Sequence, residues 1–295
     1  MSDDHDVTGS GVELAWSRHR HRVLDVAYRM LGSRVEADDV VAEAYTRLVE
    51  RGVDGLDEPR GWLVTVTSRL CLDRLRSAEV RRRAYVGPWL PEPILSQRAT
   101  GLDPADRVTL DDSVRMALLV VLEQLSPAER TVYVLTDVFS VPFGEVATIV
   151  GRSPAACRQL AARARARIAA DASARFKPDP DHHRDMVERF ARACASGDLD
   201  ALVAVLHADA SGKFDSAGLI AHAPLRTVTG NRAVANVLLT AFARTNARFE
   251  VDTVNGEPGV IITIGDHIVA VIALGVHGGR IITVQGIGNP AKLRH

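Results

Sequence analysis

Arginine side chains concentrate in two stretches of the sequence, and guanidinium groups at that density bind polyanions. Residues 60–84 carry seven arginines against two acids, a net charge of +5. Residues 151–177 carry six arginines and one lysine against one acid, a net charge of +6. Residues 36–58 have eight acids and two arginines, a net charge of −6, although the whole chain has a net charge of only −1. These blocks indicate two surfaces that face phosphates and one surface that faces a basic partner.

Residue types that do acid–base chemistry are present but not visibly clustered. Four of them lie in or beside predicted strands of the C-terminal third: Asp252, Asp266, His267 and His277. General acid–base catalysis requires two such groups positioned at one cavity, and the alternation of these residues along the strands does not show that any two share one. The sequence therefore predicts no catalytic residue.

Metal and redox sites are also not indicated. The histidines within residues 17–22 and 181–183 have no cysteine or carboxylate cluster that completes a metal spacing. Three cysteines lie far apart and form no CxxC pair: Cys71, Cys157 and Cys194. Free thiols of a reducing compartment are the ordinary interpretation, and a metal or redox site is the alternative. We expect no metal and no cofactor.

The acidic and the first basic block belong to predicted helices. In "VEADDVVAEAYTRLVE", Val41, Tyr45 and Leu48 repeat at helical spacing and predict a buried stripe, opposite an acidic face. An acidic face is also typical of a plain solvated helix. The next helix begins near Pro59, and we expect Leu63, Val66, Leu70 and Cys71 on its core side.

The second basic block follows a helix-turn-helix pattern. A helical module begins near Asp111, and in "SPAERTVYVLTDVF" Ser126 caps a helix with Pro127 in its first turn and Glu129 three residues after the cap. A short helix, a turn at Gly151 and an arginine-rich helix opening at Ser153 come next.

The C-terminal third has a different composition. Helices near its start are followed by predicted strands in "ARFEVDTV", "GVIITIG", "HIVAVIAL" and "RIITVQGIG", separated by glycine-rich turns. This order indicates an α+β domain with a curved antiparallel sheet. The chain as a whole is thus predicted to be multidomain, with two all-α modules followed by this α+β domain.

The segment "YVGPWLPEPIL", residues 85–95, connects the two helical modules. Its three prolines exclude a helix and favour a stiff extended path. Trp89 and the flanking aliphatic side chains are costly to expose, so we expect them to contact a partner. No apolar run reaches the ~18 residues that a membrane span requires, and we expect a cytoplasmic protein that does not contact membranes.

Three of these stretches resemble a known family. "ADDVVAEAYTRL", "PRGWLVTVTSRLCLDRLRS" and "LSPAERTVYVLTDVFSVPFGEVATIVGRSPAACRQLAARARARI" look like regions 2 and 4 of extracytoplasmic-function sigma factors, over residues 12–172. Residues 183–295 resemble a SnoaL-like domain of the nuclear-transport-factor-2 superfamily. "WLPEP", "VNGEPG" and "NPAKL" resemble the subgroup that carries such an extension, whereas "DSAGL" (215–219) departs from the "DGGGK" of many members.

The resemblance implies four domains and a role for each. They are sigma region 2 at 12–80, a proline-rich linker at 81–110, sigma region 4 at 111–175 and a regulatory SnoaL-like domain at 180–295. It implies an alternative sigma factor that is not an enzyme, with RNA polymerase core (its beta-prime and beta subunits) and promoter DNA as partners. A small-molecule ligand of the C-terminal domain is a further partner that it allows.

The resemblance also assigns site residues. Docking on the beta-prime clamp helices falls to Asp38, Asp39 and Glu43. Binding of the minus-ten strand falls to Arg60, Trp62, Arg69, Arg74 and Arg76, although Trp62 is interpreted either as a base-stacking or as a packing residue. Recognition of the minus-thirty-five element falls to Arg152, Ser153, Arg158, Gln159 and Arg163, with Arg158 and Gln159 reading base edges and Arg152, Arg163 and Arg165 gripping phosphates. The fused domain and the aromatic, proline-rich composition of the link, and not the resemblance, predict a regulatory contact at Trp89, Leu90, Pro91, Glu92 and Pro93.

Two hypotheses for the C-terminal domain remain open at this point. In the first, it packs against the linker and one or both helical modules and replaces a separate anti-sigma protein. In the second, it is a small-molecule binding or cyclase/isomerase-type domain fused to a DNA-binding head. A purely structural brace is a further alternative.

Overall fold

A computed structural model describes residues 4–95, 115–171, 179–219, 223–243 and 245–294. It contains two compact units. Unit 1 comprises the described residues up to 81 together with 124–167, and unit 2 comprises 82–95, 115–123 and the described residues from 168 onward. The distal half of the predicted linker, the start of the second module near Asp111, and Arg175 and Lys177 lie outside the described residues.

Ten α-helices are present in the described residues. They are α1 Asp4–Leu31, α2 Arg34–Arg51, α3 Pro59–Arg83, α4 Met116–Leu122, α5 Pro127–Tyr133, α6 Phe143–Val150, α7 Pro154–Ala170, α8 Pro180–Ser196, α9 Leu199–Val205 and α10 Asn231–Phe242. A π-helical turn, Val134–Val138, continues α5, and a 3₁₀ turn, Pro290–Lys292, lies near the C-terminus.

The core side of α2 differs in part from its prediction. Ala37, Val40, Ala44 and Leu48 are fully buried, whereas Val41 and Tyr45 are half-buried at the edge of the core. The small alanines permit close approach of the neighbouring helix α1, and large side chains then flank the contact instead of filling it. On α3, the prediction of core residues is confirmed for Leu63, Leu70 and Cys71, and Val66 is half-buried against the same core.

Local capping chemistry sets the starts of α5 and α7. Ser126 Oγ accepts a hydrogen bond from Glu129 N (3.3 Å), and Glu129 Oε2 accepts one from Ser126 N (3.1 Å), so the predicted capping box is present. Ser153 Oγ accepts from Ala156 N at 3.2 Å. Gly151 has φ +70°, the left-handed conformation that the tight turn before α7 requires. The helix-turn-helix prediction is confirmed.

Helix α1 and the π-helical turn meet within unit 1. Arg22 Nη2 donates to Phe139 O at 3.0 Å, and its guanidinium carbon lies 4.9 Å from the centre of the Phe139 ring. The buried Arg130 donates from Nε and Nη2 to Arg29 O at 3.3 and 3.2 Å. The helices of the first 81 residues and those of 124–167 therefore share a polar contact built on arginine.

Unit 2 contains one six-stranded sheet. Its strands are β1 Leu206–Asp215, β2 Val228–Thr229, β3 Arg248–Val254, β4 Glu257–Ile264, β5 His267–His277 and β6 Arg280–Ile287, in the spatial order β2-β1-β6-β5-β4-β3. The four predicted strands form an antiparallel meander, β3 to β6. β1 pairs in parallel with β6, which makes the sheet mixed. Strand β1 was not predicted, because its small and polar side chains, "LHADASGKFD", lack the β-branched residues typical of strands.

Both faces of this sheet are covered. Helices α8 to α10 cover one face, against alternate residues such as Val260, Ile262 and Ile272. The intervening residues form a second cluster on the other face: Val254, Ile261, Val271, Ala273 and Ile287. That cluster packs against Leu90 and Leu95 of the linker and Met116 and Val120 of α4. Linker and α4 thus complete the C-terminal domain.

Candidate nucleic-acid interface and linker contact

The acidic residues of α2 lie on its outer side. The side chains of Asp38, Asp39 and Glu43 are 53%, 63% and 41% exposed. Asp38 and Glu43 pair with arginines one turn away, Arg34 at 2.8 Å and Arg47 at 2.7 Å. Such exposed i,i+4 pairs contribute only ~0.3–0.5 kcal/mol, so a basic partner can displace them at small cost.

Arg74 joins this acidic face, although the sequence grouped it with the DNA-binding arginines. Its Nη1 lies 3.3 Å from Asp39 Oδ2 and donates to Glu36 O at 3.4 Å, and its Nη2 lies 3.9 Å from Glu43 Oε2. The guanidinium neutralises part of the acidic surface and braces α3 against α2. The phosphate-binding role of Arg74 therefore competes with two carboxylates in the same unit.

The other residues assigned to the minus-ten strand share one helix, α3. Arg69 is exposed, as are Arg60 and Arg76, which pair with Glu58 and Asp73, both at 3.3 Å. Trp62 is half-buried and packs against the cluster that includes Val12, Leu48 and Leu63. The packing interpretation of Trp62 is the one that this geometry favours.

The residues predicted for the minus-thirty-five element lie on the exposed side of α7 or in the turn just before it. Arg152, Arg158, Gln159 and Arg163 are exposed, and the Arg158 guanidinium carbon lies 5.6 Å from the centre of the Phe143 ring. Ser153 serves as the cap of the helix. Cys157, which the sequence left facing either way, points inward and is fully buried. The exposed face therefore presents cations and an amide, the groups that major-groove recognition uses.

Arg165 and Arg167 are engaged within unit 1. Arg165 Nε lies 2.5 Å from Asp137 Oδ1 in the π-helical turn. This hydrogen bond to the carboxylate raises the pKa of Arg165. Arg167 donates to Gln124 O at 2.9 Å and lies 3.5 Å from Glu129 Oε2. Arg165, expected to grip a phosphate, is thus partnered by a carboxylate.

A buried ion pair holds the linker to the C-terminal domain. Asp215, at the end of β1, and Lys292, in the 3₁₀ turn, are 0% and 7% exposed, with Nζ 2.6 Å from Oδ2. Asp215 Oδ2 also accepts from Leu90 N at 2.9 Å, and Lys292 Nζ donates to Leu90 O. Both backbone groups of one linker residue are therefore satisfied by a charged pair of the domain.

Two linker aromatics surround this pair. Tyr85 donates its hydroxyl hydrogen to Asp215 Oδ1 and accepts from Asn289 Nδ2 at 2.9 Å. Burial and the hydrogen bond to Asp215 raise the pKa of Tyr85 well above its usual range. The Lys292 ammonium lies 3.3 Å from the centre of a Trp89 ring, and Trp89 meets Tyr85 edge to face at 4.8 Å. A cation–π contact of this kind contributes most where water is excluded.

The end of the linker pairs with the β3–β4 turn. Ile94 N donates to Asn255 Oδ1 at 3.1 Å, Asn255 N donates to Ile94 O at 2.9 Å, and Leu95 forms a bridge with Val254. Pro91, Glu92 and Pro93 are buried between these two anchors. Beyond the linker, Arg115 at the start of α4 pairs with Glu257 at 2.7 Å.

Comparison with known proteins identifies the two helical parts. A model described as Sigma-70 region 2 matches residues 15–81, and one described as Sigma-70, region 4 matches residues 115–168. The chain is 40% identical to "ECF RNA polymerase sigma factor SigJ" of Mycobacterium tuberculosis over 92% of its length and 90% of SigJ. This chain belongs to the ECF RNA polymerase sigma factors.

Two further likenesses extend over nearly the whole sigma factor. It is 38% identical to "Probable ECF RNA polymerase sigma factor SigI" of M. tuberculosis, over 96% of this chain and 94% of SigI. The crystal structure of M. tuberculosis SigJ superposes with a TM-score of 0.72 at 36% identity, covering 92% of this chain and 95% of that one. The multidomain fold is thereby confirmed, with helical sigma modules and a C-terminal α+β domain. As an ECF sigma factor, the protein binds RNA polymerase and directs promoter-specific initiation.

The region 4 match begins inside unit 2 of this sigma factor. Helix α4 is the first helix within the matched residues, yet its Met116 and Val120 pack on the second face of the C-terminal sheet. The C-terminal domain therefore holds the linker and also the first helix of the DNA-binding region.

The titratable residues singled out in the C-terminal domain do not converge. Asp266, His267 and His277 are exposed in turns or at strand ends, and Asp252 is half-buried on the edge strand β3. None of the four lines the cavity bordered by Phe214, Asp215 and Ile272. The described residues contain no His, Cys, Asp or Glu cluster suited to a metal ion, and no described helix is long and apolar enough to cross a membrane.

The three cysteines of the sigma factor are buried. Burial raises the pKa of the thiols of Cys71 and Cys157, and raises that of Cys194 to about 12. Thiols of this kind are protonated and unreactive at neutral pH.

The sequence reasoning missed the residues that anchor the linker. They are Tyr85, Asp215, Asn255, Asn289 and Lys292. Four of them stand in stretches that the resemblance had already marked, "DSAGL", "VNGEPG" and "NPAKL". These three stretches share one signal. Each contributes a polar side chain that can form a hydrogen bond with the backbone of the linker. A proline-rich backbone needs such side chains when it is buried, because it has no secondary-structure partners.

Proposed function

We propose that this ECF sigma factor is held in a restrained state by its own C-terminal domain, which grips the linker between regions 2 and 4. The observation that carries the proposal is the buried Asp215–Lys292 pair, which satisfies both backbone groups of Leu90. Polymerase engagement must then compete with this domain for the linker and for α4.

In this proposal the exposed carboxylates of α2 dock on the clamp helices of the beta-prime subunit. The support is their exposure and their weak i,i+4 pairing, which leaves the face free to exchange partners. The linker and region 4 would meet the beta subunit. Complementary charge of this kind steers association and fixes register.

Promoter DNA contacts are divided between two helices. Arg60, Arg69 and Arg76 of α3 bind phosphates of the minus-ten strand, and Trp62 supports that helix through packing. On α7, Arg158 and Gln159 read base edges of the minus-thirty-five element, while Arg163 of the same helix and Arg152 of the preceding turn bind phosphates. The protein acts in the cytoplasm with the polymerase, and its C-terminal domain serves a regulatory and not a catalytic purpose.

Transcription in vitro with polymerase core tests the linker restraint. Asn255→Gly keeps the positive φ of +51° at this turn while removing the acceptor of Ile94 N. We expect this variant and Trp89→Ala to initiate several-fold more than the full-length wild type. Asp266→Gly, in the turn at the other end of β4, is the matched control and should initiate as the wild type does.

A protein truncated after residue 172 extends the test to the whole domain. We expect it also to exceed the full-length protein in initiation. The point variants are the cleaner comparison, because truncation uncovers Leu90, Leu95, Met116 and Val120. Wild-type activity from Asn255→Gly, Trp89→Ala and the truncated protein alike would refute the restraint, while leaving sigma activity itself intact.

A further inference from the structure

A cavity of about 290 Å³ lies inside the C-terminal domain on the helical side of the sheet. Most of its wall is aliphatic or aromatic: Phe214, Val237, Leu238, Phe242, Ala270 and Ile272. Its volume is just below the ~300–1,000 Å³ of ordinary ligand pockets, so it suits a small molecule.

The polar groups of the cavity are few. Asn236 and Thr240 are exposed residues on α10, one turn apart, and Ser216 lies beside the buried end of β1. A charged ligand would lose its hydration against apolar walls. A neutral, mostly apolar molecule with one or two hydrogen-bonding groups fits this lining.

The cavity wall and the linker contact share the ends of β1 and β6. Phe214 lines the cavity, and the next residue, Asp215, holds the linker. Gly286 lines the cavity, and the next residue, Ile287, packs in the linker-covered cluster. Gly288 N donates to Asp215 O at 2.8 Å, which ties the two strand ends together. Successive residues of a strand point to opposite faces, so the two sites are the two sides of one wall.

Phe214 belongs both to the packed sheet and to the cavity wall. Its ring lies against the backbone of Gly212 and Gly286, where an added Cβ would come within 2.7 and 2.8 Å of the ring. The same side chain lines the cavity. A molecule in the cavity therefore holds this ring, and with it the strand end that presents Asp215.

We propose that the cavity is an effector site for a neutral, mostly apolar small molecule, and that its occupancy strengthens docking of the linker. A ligand that fits the cavity of the linker-docked state stabilises that state over any state in which the strand end relaxes. Linkage makes the effect reciprocal: linker docking tightens ligand binding by the same factor. The consequence for transcription rests on the proposed restraint, whereas the coupling itself does not.

Fluorescence titration of the full-length protein with N-phenylnaphthylamine tests the site. This probe is neutral, apolar and carries one N–H. We expect saturable binding that falls at least ~10-fold when Val237→Phe fills the cavity; Ala241→Leu, at an exposed lining position, is a second filling variant that folds more readily. Anilinonaphthalene sulfonate has the same rings plus a charge, and should bind at least ~10-fold more weakly to the wild type.

Amide hydrogen exchange measures the coupling in the same samples, without polymerase or DNA. The amides of Leu90 and Ile94, which donate to Asp215 and Asn255, should exchange ~5-fold or more slowly with N-phenylnaphthylamine present, within the usual range of coupling energies. Helix α2 should be unaffected.

Three results would overturn the proposal. They are equal probe binding by wild type and both filling variants, equal binding of the sulfonate, and saturable binding that leaves exchange of Leu90 and Ile94 unchanged. None of them depends on initiation, so the restraint on transcription stands or fails separately.

Discussion

The polar groups of helix α7 and those of the linker have opposite environments. Arg152 in the turn before α7 and Arg158 and Arg163 on α7 are exposed to solvent. In the linker, both backbone groups of Leu90 and the Tyr85 hydroxyl are already bound by the C-terminal domain. Exposed charged side chains are solvated by water and need no protein partner. A buried proline-rich backbone needs hydrogen-bond partners for its N–H and C=O groups. The linker surface is therefore the one that the protein itself occupies.

Removing one partner of the buried pair should have the largest effect. Lys292→Met leaves the Asp215 carboxylate buried without its cation, and we expect a loss of ~3–5 kcal/mol in the free energy of unfolding by urea. The double variant Asp215→Asn, Lys292→Met should recover much of that loss, because no uncompensated charge remains. Arg76→Met breaks the exposed Arg76–Asp73 pair and should cost less than ~1 kcal/mol. Equal losses from Lys292→Met and Arg76→Met would remove the contrast between the two regions.

Two arginines of α7 test the role of the exposed residues. Arg158→Ala should weaken holoenzyme binding to the cognate minus-thirty-five sequence by ~1–3 kcal/mol. It should also reduce the preference for one base pair of that sequence. Arg163→Ala should weaken binding to all sequences alike. Arg163 is a better control than Arg165, whose removal would also release Asp137 in the π-helical turn. Holoenzyme binding to cognate and base-substituted promoters at one salt concentration measures both; uniform losses from both variants would contradict the assignment.

The smallest effect concerns pH and the interior of unit 2. Burial lowers the pKa of His183, which is 2% exposed with Nε2 3.0 Å from Leu274 O. The unfolded state binds a proton near pH 6.5 and the folded state only at lower pH. Stability is thus complete above pH 6.5 and falls as the pH drops toward the folded-state pKa, by at most ~1.4 kcal/mol per pH unit. His183→Gln should flatten this slope in urea unfolding between pH 6.5 and 5, and His182→Gln, at the exposed neighbour, should not.

Local chemistry made much of unit 1 predictable. The Ser126–Glu129 box, the turn at Gly151 and the exposure of Arg158 all follow from residues within a few positions of one another. The buried stripe of α2 was less predictable, since Ala37 and Ala44 carry too little apolar surface to stand out in a periodicity. Arg74 illustrates a further limit: its charge was evident, but its pairing with Asp39 depends on how two helices pack.

Unit 2 was harder to predict because its key contacts are distant in sequence. Asp215 and Lys292 are 77 positions apart, and Tyr85 reaches Asp215 across 130. One signal was available: "GVIITIG" and "HIVAVIAL" are apolar at successive positions, and strands of that kind are buried on both faces. In the structure, Val260 and Ile262 belong to the cluster under the helices, and Ile261 between them belongs to the cluster on the other face. The hypothesis that the domain packs against the linker named one part of the second cover, but nothing in the sequence indicated that α4 supplies the other part.

The second face of the sheet also sets a threshold for activation. Releasing the linker and α4 would bare Ile261, Val271 and Ile287 to water, at ~1.5–3 kcal/mol for each fully buried aliphatic side chain. Thermal fluctuation alone rarely supplies the summed free energy of exposing these side chains. A partner that displaces the linker therefore has to cover them with apolar surface of its own. The same face makes the C-terminal domain a poor free-standing protein: cut from the linker, it would carry an exposed apolar sheet that invites self-association.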